Sequence, residues 1–425
     1  MHTTVTPAPA RSLGPLVFVA IALLMPAPWL ALRLVDAHPA DLTVTILTGM
    51  AILGAAFLLS WAAEVAQLDI SQALALAVLA LIAILPEYAV DAYFAWQAAT
   101  DPSYAPYALA NMTGANRLLI GLGWSMVVLV AAWRHRHDAP SDRRGLRGTV
   151  GRHGVDLPGG AGLEVGVLLA ATLYALTLPF KGSINLFDTL LFGALFVFYL
   201  IASARRPSED PHLVGPAALI GALRPALRRA VVIGLGLFAA VAIFLSAEPF
   251  AEGLIHIGEG FGVDEFLLVQ WVAPLASESP EFLIAGLFAW RALGPAGLQT
   301  LVSSKVNQWT LLVGLLPLVT SVAAGQPSLL PLDGRQAHEL WLTAAQSLFA
   351  VVLLLDGNLT VRDALALAGL FLAQLLWPFN GTGFDSWIVF TALYVILSVV
   401  LLADPERRAG LARLFGGLRP RRTEQ

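Results

Sequence analysis

Two stretches decide the fold of this chain. The first reads Ile84-Leu85-Pro86-Glu87-Tyr88-Ala89-Val90-Asp91 and is followed by Asn111-Met112-Thr113-Gly114-Ala115-Asn116-Arg117. The second reads Ser277-Glu278-Ser279-Pro280-Glu281-Phe282 and is followed by Ser303-Ser304-Lys305-Val306-Asn307-Gln308. They look like distorted copies of each other. Each places a Pro-Glu pair inside a long apolar run, where a lipid-embedded helix should tolerate neither residue. Proline removes a ladder hydrogen bond and frees a carbonyl in the preceding turn, and a carboxylate at a helix centre costs on the order of 2.5–3.5 kcal/mol. One glutamate falls in each half of the 425-residue chain. Interrupted helices with carboxylates in corresponding positions of two halves imply an intramembrane ion site.

Composition places the rest of the chain around these segments. Hydrophobic residues make up 57% and charged residues 13%, with a mean hydropathy of +0.74, which leaves no room for a sizeable soluble domain. The absence of cysteine excludes disulfides, thiolate metal sites and cysteine nucleophiles. The net charge of −4 is small, and basic residues gather in loops rather than on one face, so there is no nucleic-acid footprint. Lysine is nearly absent beside arginine, which makes Lys305 conspicuous in its apolar surroundings.

Apolar runs long enough to cross a bilayer, about 20 residues each, fall near residues 14–35, 41–63, 71–98, 105–133, 163–180, 183–203, 228–250, 262–291, 296–323, 338–355, 361–378 and 384–402. These predict about twelve transmembrane helices in an all-α membrane protein. Arg134, Arg136, Arg143, Arg144, Arg147 and Arg152 follow the fourth run, Arg205, Arg206, Arg224, Arg228 and Arg229 bracket the sixth-to-seventh connection, and Arg407, Arg408, Arg413, Arg419, Arg421 and Arg422 form the tail. All three groups fall on one face if the runs alternate, and the positive-inside rule makes that face cytoplasmic. Both termini are then cytoplasmic, and alanine- and arginine-rich usage suggests a bacterial inner membrane. Arg11 before an apolar run raises a signal sequence as an alternative, but the run exceeds a usual signal core and lacks a clear cleavage site. His135, His137 and His153 lie in a basic, aperiodic stretch that reads as a solvated loop rather than a metal site.

Setting aside an N-terminal extra helix in 1–40 and a last helix with its basic tail in 379–425 leaves two blocks, 41–203 and 228–378, joined by a cytoplasmic connection at 204–227. The first block holds its motif at about 82–120 and a cytoplasmic loop at 134–162; the second holds its motif at about 276–314. Five spans per block is an odd number, so the blocks enter the membrane from opposite sides, an inverted five-plus-five repeat. In both, the Pro-Glu pair falls in the second span and the Asn/Ser-rich segment in the third. Glu87 and Glu281 are expected to face each other near the bilayer midplane.

These segments resemble the alpha-repeats of the cation/calcium exchanger superfamily, which includes sodium/calcium and calcium/proton exchangers. The resemblance rests on Pro86-Glu87 and Pro280-Glu281, on Asn111-x-x-Gly114-x-Asn116, and on Ser277 and Ser304 at hydroxyl positions. Ile82-Ala83-Ile84 replaces the family's Gly-Thr-Ser, Glu278 replaces a Ser of the second repeat, and Ala115 replaces a ligand Ser. The family motif pairs Asn116 with Lys305, whereas direct matching of the two halves pairs it with Asn307. The resemblance implies the inverted-repeat fold of the sodium/calcium exchangers and coordination of a cation by the glutamates and hydroxyls.

Residues and resemblance together predict a secondary active antiporter, not an enzyme, exchanging Na⁺, Ca²⁺ or another cation, with H⁺ as a candidate counter-ion. Oxygen-only donors suit such ions better than thiophilic metals. Glu87 and Glu281 are the principal metal ligands or proton carriers, Asp91 and Glu278 auxiliary acids, and Asn111, Asn116, Ser277, Ser304 and Gln308 neutral ligands. Arg117 and Lys305 are candidate built-in cations, expected to pair with those acids and leave two net negative charges. The expected partners are inorganic cations and the lipid bilayer, with no cofactor beyond the transported ion. The alternative is a non-transporting scaffold or sensor whose site Arg117 and Lys305 fill. A hydrolase built on Ser277, Ser279 or Ser304 finds no histidine in the membrane to serve it.

Overall fold

The computed structural model describes residues 14–37, 39–69, 85–137, 150–151, 154–157, 162–205, 213–377 and 386–416. Outside them lie Arg11, the first part of the expected 71–98 span with Ile82-Ala83-Ile84, Arg143, Arg144, Arg147, Arg152, His153, Arg206, Arg419, Arg421 and Arg422. The described chain is mostly helical. In order it forms α1 (Gly14–Leu24), α2 (Ala27–Leu34), α3 (Asp41–Ala66), α4 (Leu85–Gln97), α5 (Ala105–Leu118), a π-helical segment (Leu119–Trp124), α6 (Ser125–His137), β1 (Val150–Gly151), β2 (Gly154–Asp156), α7 (Gly162–Ala175), α8 (Leu178–Lys181), β3 (Ser183–Asn185) and α9 (Leu186–Ala204). There follow α10 (Gly215–Gly221), α11 (Pro225–Phe261), α12 (Glu265–Trp290), α13 (Gly294–Asn307), a second π-helical segment (Gln308–Leu312), α14 (Val313–Ala324), β4 (Leu329–Pro331), α15 (Gly334–Leu353), β5 (Asn358–Thr360), α16 (Val361–Leu376), α17 (Ser386–Leu401) and α18 (Pro405–Gly416).

Among the described residues seven helical stretches are long and apolar enough to cross a membrane, or eight if α17 and α18, bent by 94°, count as one span. Several of the twelve apolar runs fall short of that standard for physical reasons. The α12 helix carries Glu265, Glu278 and Glu281, α15 opens on a polar turn from Arg335 to Glu339, and α16 is only 16 residues long. Pro26 divides the first expected span into α1 and α2, since it has no N–H for the helical ladder. The expected 228–250 span belongs to a single 37-residue helix that runs on through Pro249. At 1.5 Å per residue it is roughly 55 Å long, well beyond a hydrocarbon core of about 30 Å.

Two compact units make up the chain, Met1–Tyr93 with Ser203–Pro280 and Phe94–Ala202 with Glu281–Gln425. Each draws on both halves of the sequence, and the boundary falls inside both Pro-Glu helices, after Tyr93 in α4 and after Pro280 in α12.

The first unit is built on α3 against α11. These run antiparallel: His256 Nδ1 lies 3.6 Å from Asp41 at one end, and Arg228 and Arg229 reach Asp69 at 2.8 and 3.0 Å at the other. Small residues bring the backbones together. A Cβ on Gly253 would lie 2.0 Å from Thr45 Oγ1, so only glycine fits that crossing. The Arg228 guanidinium, hydrogen-bonded to Asp69 and helped by Arg229, holds the Asp69 carboxyl down at about 2.

The second unit contains the two helices interrupted by π segments, with α15 packed against α5, α7 and α17. Trp124 and Trp309, one in each π segment, are fully buried, and the Trp309 indole donates to Thr172 Oγ1 at 3.1 Å. Short antiparallel strands pair β2 with both β1 and β5, and β3 with β4. Reciprocal side-chain caps start α15 at Asp333 with Gln336 and α16 at Thr360 with Asp363. The expected basic tail is not all loop. It begins with α18, whose Arg407 is buried and paired with Asp356 and Asp363 at 3.3 Å.

Candidate cation site

In the first unit, Glu87 and Asp91 lie one turn apart on α4 and are 2% and 0% exposed. Both carboxylates sit in a region that offers little water, which is where an ionisable group acquires a function rather than a solubilising role. Two residues further on, the Tyr93 hydroxyl donates to Glu252 Oε1 on α11, tying the Pro-Glu helix to that neighbour. Ser277 and Glu278 on α12 are also buried. Pro274 and Pro280 interrupt this helix, and neither supplies an N–H to the carbonyl one turn earlier. The Ser277 hydroxyl donates to the Ala273 carbonyl at 3.2 Å. Its proton is thereby directed to the backbone, and its lone pairs stay available to a cation.

In the second unit, the Ser304 hydroxyl donates to Glu281 Oε2 at 2.5 Å. Its neighbour Lys305, 1% exposed, donates through Nζ to Asn116 Oδ1 at 2.5 Å and lies 4.4 Å from the centre of the Trp309 ring. The Asn116 amide donates back to the Met112 carbonyl at 2.8 Å, which fixes its oxygen towards the ammonium. Asn111 and Gln308 are fully buried as well. An ammonium on an amide oxygen occupies the kind of donor that a Na⁺ or Ca²⁺ ion takes.

Arg117, buried on α5, has a partner outside the four acids singled out from sequence. Its Nη2 forms an ion pair with Glu339 Oε2 on α15 at 2.6 Å. The same carboxylate accepts from the Trp387 indole at 2.7 Å on its other oxygen, and Gln346 Nε2 donates to the Arg117 carbonyl at 3.3 Å.

The two π segments follow the two Asn/Ser-rich helices directly. Leu119 and Gln308, where they begin, are separated by as many residues as Asn116 and Lys305. The backbone register therefore matches Asn116 with Lys305 rather than with Asn307. Such segments widen a helix by one residue and recur at functional positions.

Sequence reasoning missed three polar groups. Glu339 stood in a run read only for its apolarity. Asn307, known only as an alternative register partner, has a buried Oδ1 that meets no donor among the described residues. Glu64 sits one residue past the expected end of the 41–63 span, yet α3 continues to Ala66 and both Glu64 carboxylate oxygens are buried without a hydrogen-bond partner among the described residues. The signal available for all three was a polar side chain within one helical turn of an apolar run. Among the described residues no three His, Asp or Glu side chains form a metal-holding cluster.

The family model described as sodium/calcium exchanger protein matches residues 41–205 and again 231–380. The chain belongs to the sodium/calcium exchanger protein family. That family consists of membrane cation exchangers and is not a class of catalytic enzymes. Among solved structures it is similar to the H⁺/Ca²⁺ exchanger CAX, with 42% identity, a TM-score of 0.86, and coverage of 95% of this chain and 97% of that one. The Ca²⁺/H⁺ antiporter YfkE shares the fold at 13% identity and a TM-score of 0.59, over 90% of this chain and 99% of the other. The sodium–calcium exchanger NCX_Mj does so at 15% identity and a TM-score of 0.50, over 79% and 97%. Among curated proteins compared by sequence, none matches.

Proposed function

We propose that this exchanger moves Ca²⁺ or a similar cation against H⁺ across a bacterial inner membrane, with both termini cytoplasmic. The observation that carries the reading is the set of oxygen donors on the two Pro-Glu helices: Glu87 and Asp91, buried on α4, Ser277 and Glu278, buried on α12, and Glu281 three residues further along α12, hydrogen-bonded to Ser304. The likeness to an H⁺/Ca²⁺ exchanger over nearly the whole of both chains supports the choice of ions. Glu87 and Glu281 alternate between protonated and cation-bound forms, while Asn111, Asn116, Ser277, Ser304 and Gln308 contribute neutral oxygens. A twelve-span arrangement with an inverted five-plus-five core underlies the alternation. The repeated order of helix, π segment and helix, in the register that pairs Asn116 with Lys305, supports it.

A non-transporting scaffold is the competing reading, favoured by the Lys305 ammonium on Asn116. Flux in proteoliposomes decides between them: Ca²⁺, Na⁺ and K⁺ are each tested against an imposed proton gradient. Uptake of Ca²⁺ that dissipates the gradient is the expected result. Folded protein that moves none of the three ions would establish the scaffold.

A further inference from the structure

We propose that Glu339 sets the cation affinity of this transporter by neutralising Arg117, and is thereby a specificity-determining residue that touches no transported ion. The proposal rests on the antiporter reading for its physiological role, and on the geometry of the second unit for its mechanism.

Arg117 follows Asn116 directly in α5, and Asn116 is the amide whose oxygen already accepts a cationic group from Lys305. A second positive charge so close to a cation ligand opposes the binding of any metal ion, and does so most strongly where water is excluded. Glu339 answers that charge at 2.6 Å, with both partners almost completely buried. It is also held where it is needed. Trp387 on α17 donates to its other oxygen, and the Arg117 backbone carbonyl is fixed by Gln346, two turns along α15 from Glu339. The side-chain proton of Thr343 goes to the Glu339 carbonyl, so this stretch of α15 is tied on several sides.

The consequence is a change in charge. Within the second unit, Glu281 against Arg117 and Lys305 leaves one net positive charge. Adding Glu339 brings that balance to zero, and Arg117 no longer counts as a built-in cation. Lys305 alone keeps that part. A salt bridge kept only for stability would tolerate replacement by any neutral pair, with no effect on ion affinity when one partner alone is neutralised. A charge-setting pair makes the opposite demand, because affinity then follows the net charge of the pair.

The test uses the full-length protein in detergent and in vesicles of phosphatidylethanolamine and phosphatidylglycerol. Ca²⁺ binding is followed by Ca²⁺-dependent thermal stabilisation, and Ca²⁺ uptake by flux under a proton gradient. A unit charge on the order of 10 Å from a divalent ion, at an effective dielectric of about 20, predicts that Glu339→Gln weakens Ca²⁺ on the order of a hundredfold. Arg117→Gln in the same chain as Glu339→Gln should return the affinity to within about threefold of the starting protein. Where Glu339→Gln does not fold, Arg117→Gln alone serves, and it should bind Ca²⁺ more tightly. Unchanged affinity in Glu339→Gln, or a double variant as weak as the single one, overturns the proposal, as does weaker binding in Arg117→Gln. Binding that follows this pattern without flux leaves the proposal standing and removes the antiporter reading. A starting protein that neither binds nor moves Ca²⁺ overturns both.

Discussion

Lys305→Ala is the perturbation that most directly tests whether a side chain stands in for a metal ion. The Lys305 ammonium donates to Asn116 Oδ1 at 2.5 Å and lies 4.4 Å from the Trp309 ring centre, in a side chain 1% exposed. The charged hydrogen bond contributes about 1.5–3 kcal/mol, and the cation–π contact up to about 2 kcal/mol where water is excluded. Truncation also removes buried methylenes at about 0.8 kcal/mol each and leaves the Asn116 oxygen without its donor. Relief of the desolvated charge offsets part of this sum, so the net loss should be about 3–5 kcal/mol. Lys305→Met keeps most of the stem and should lose about half as much, which separates charge from packing. Thermal unfolding in detergent, repeated over a Ca²⁺ titration, reads both stability and affinity. Both variants should gain more stability from Ca²⁺ than the starting protein does, because a cation can take the place the ammonium leaves. If both unfold at the starting temperature and their response to Ca²⁺ is unchanged, Lys305 does not occupy a cation position.

Three further outcomes follow from other parts of the molecule. Glu87→Gln and Glu281→Gln should each abolish flux in proteoliposomes while the protein still folds, whereas Asp91→Asn and Glu278→Gln should shift selectivity or pH dependence without ending turnover; equal and complete loss at all four positions would mean the acids are wrongly ranked. Asp69 is held at about 2 by its arginines, below an unfolded value of about 3.9, so its stabilising effect is complete above the unfolded value and is lost as pH falls through about 2. Unfolding of Asp69→Asn should accordingly show a deficit of about 1–2 kcal/mol at neutral pH that shrinks steeply as pH falls towards about 2; a deficit undiminished there would exclude the charge as its source. Gly121→Ala places a Cβ 2.4 Å from Phe371 Cγ in the first π segment and should cost about 1–3 kcal/mol of stability by overpacking, a loss that Phe371→Leu in the same chain should partly recover.

The Pro-Glu segments were legible because a membrane penalises what they contain. A carboxylate or proline in an apolar run stands out against its neighbours, and two such pairs in matching places reinforce each other. The helices α5, α12 and α13 accordingly fall where the apolar runs at 105–133, 262–291 and 296–323 placed them. The extent of α11 was not legible, because its end is set by the αL cap at Gly262 rather than by hydropathy. The π segments share no compositional signal: Leu119–Trp124 is wholly apolar, whereas Gln308–Leu312 carries Gln308 and Thr310, and only backbone register reveals the pair.

The pairing of Arg117 shows where this kind of inference stops and why. Sequence spacing restricts a buried arginine to partners one turn away on its own helix, or to acids that are conspicuous for other reasons. Glu339 meets neither condition. It lies in the first turns of α15, where an acid reads as a helix-start preference with no claim on the membrane interior. Yet it is 2% exposed, and its two oxygens take charge or hydrogen bonds from Arg117 and Trp387, residues supplied by different helices. An unpaired guanidinium at that depth would cost more than the single acid does. The presence of Arg117 in α5 therefore demanded an anion from somewhere in the fold, and the sequence carried that demand without carrying its address. A buried base next to a candidate ligand is thus a reason to search every helix for the acid that answers it, since that acid decides whether the base opposes the transported cation.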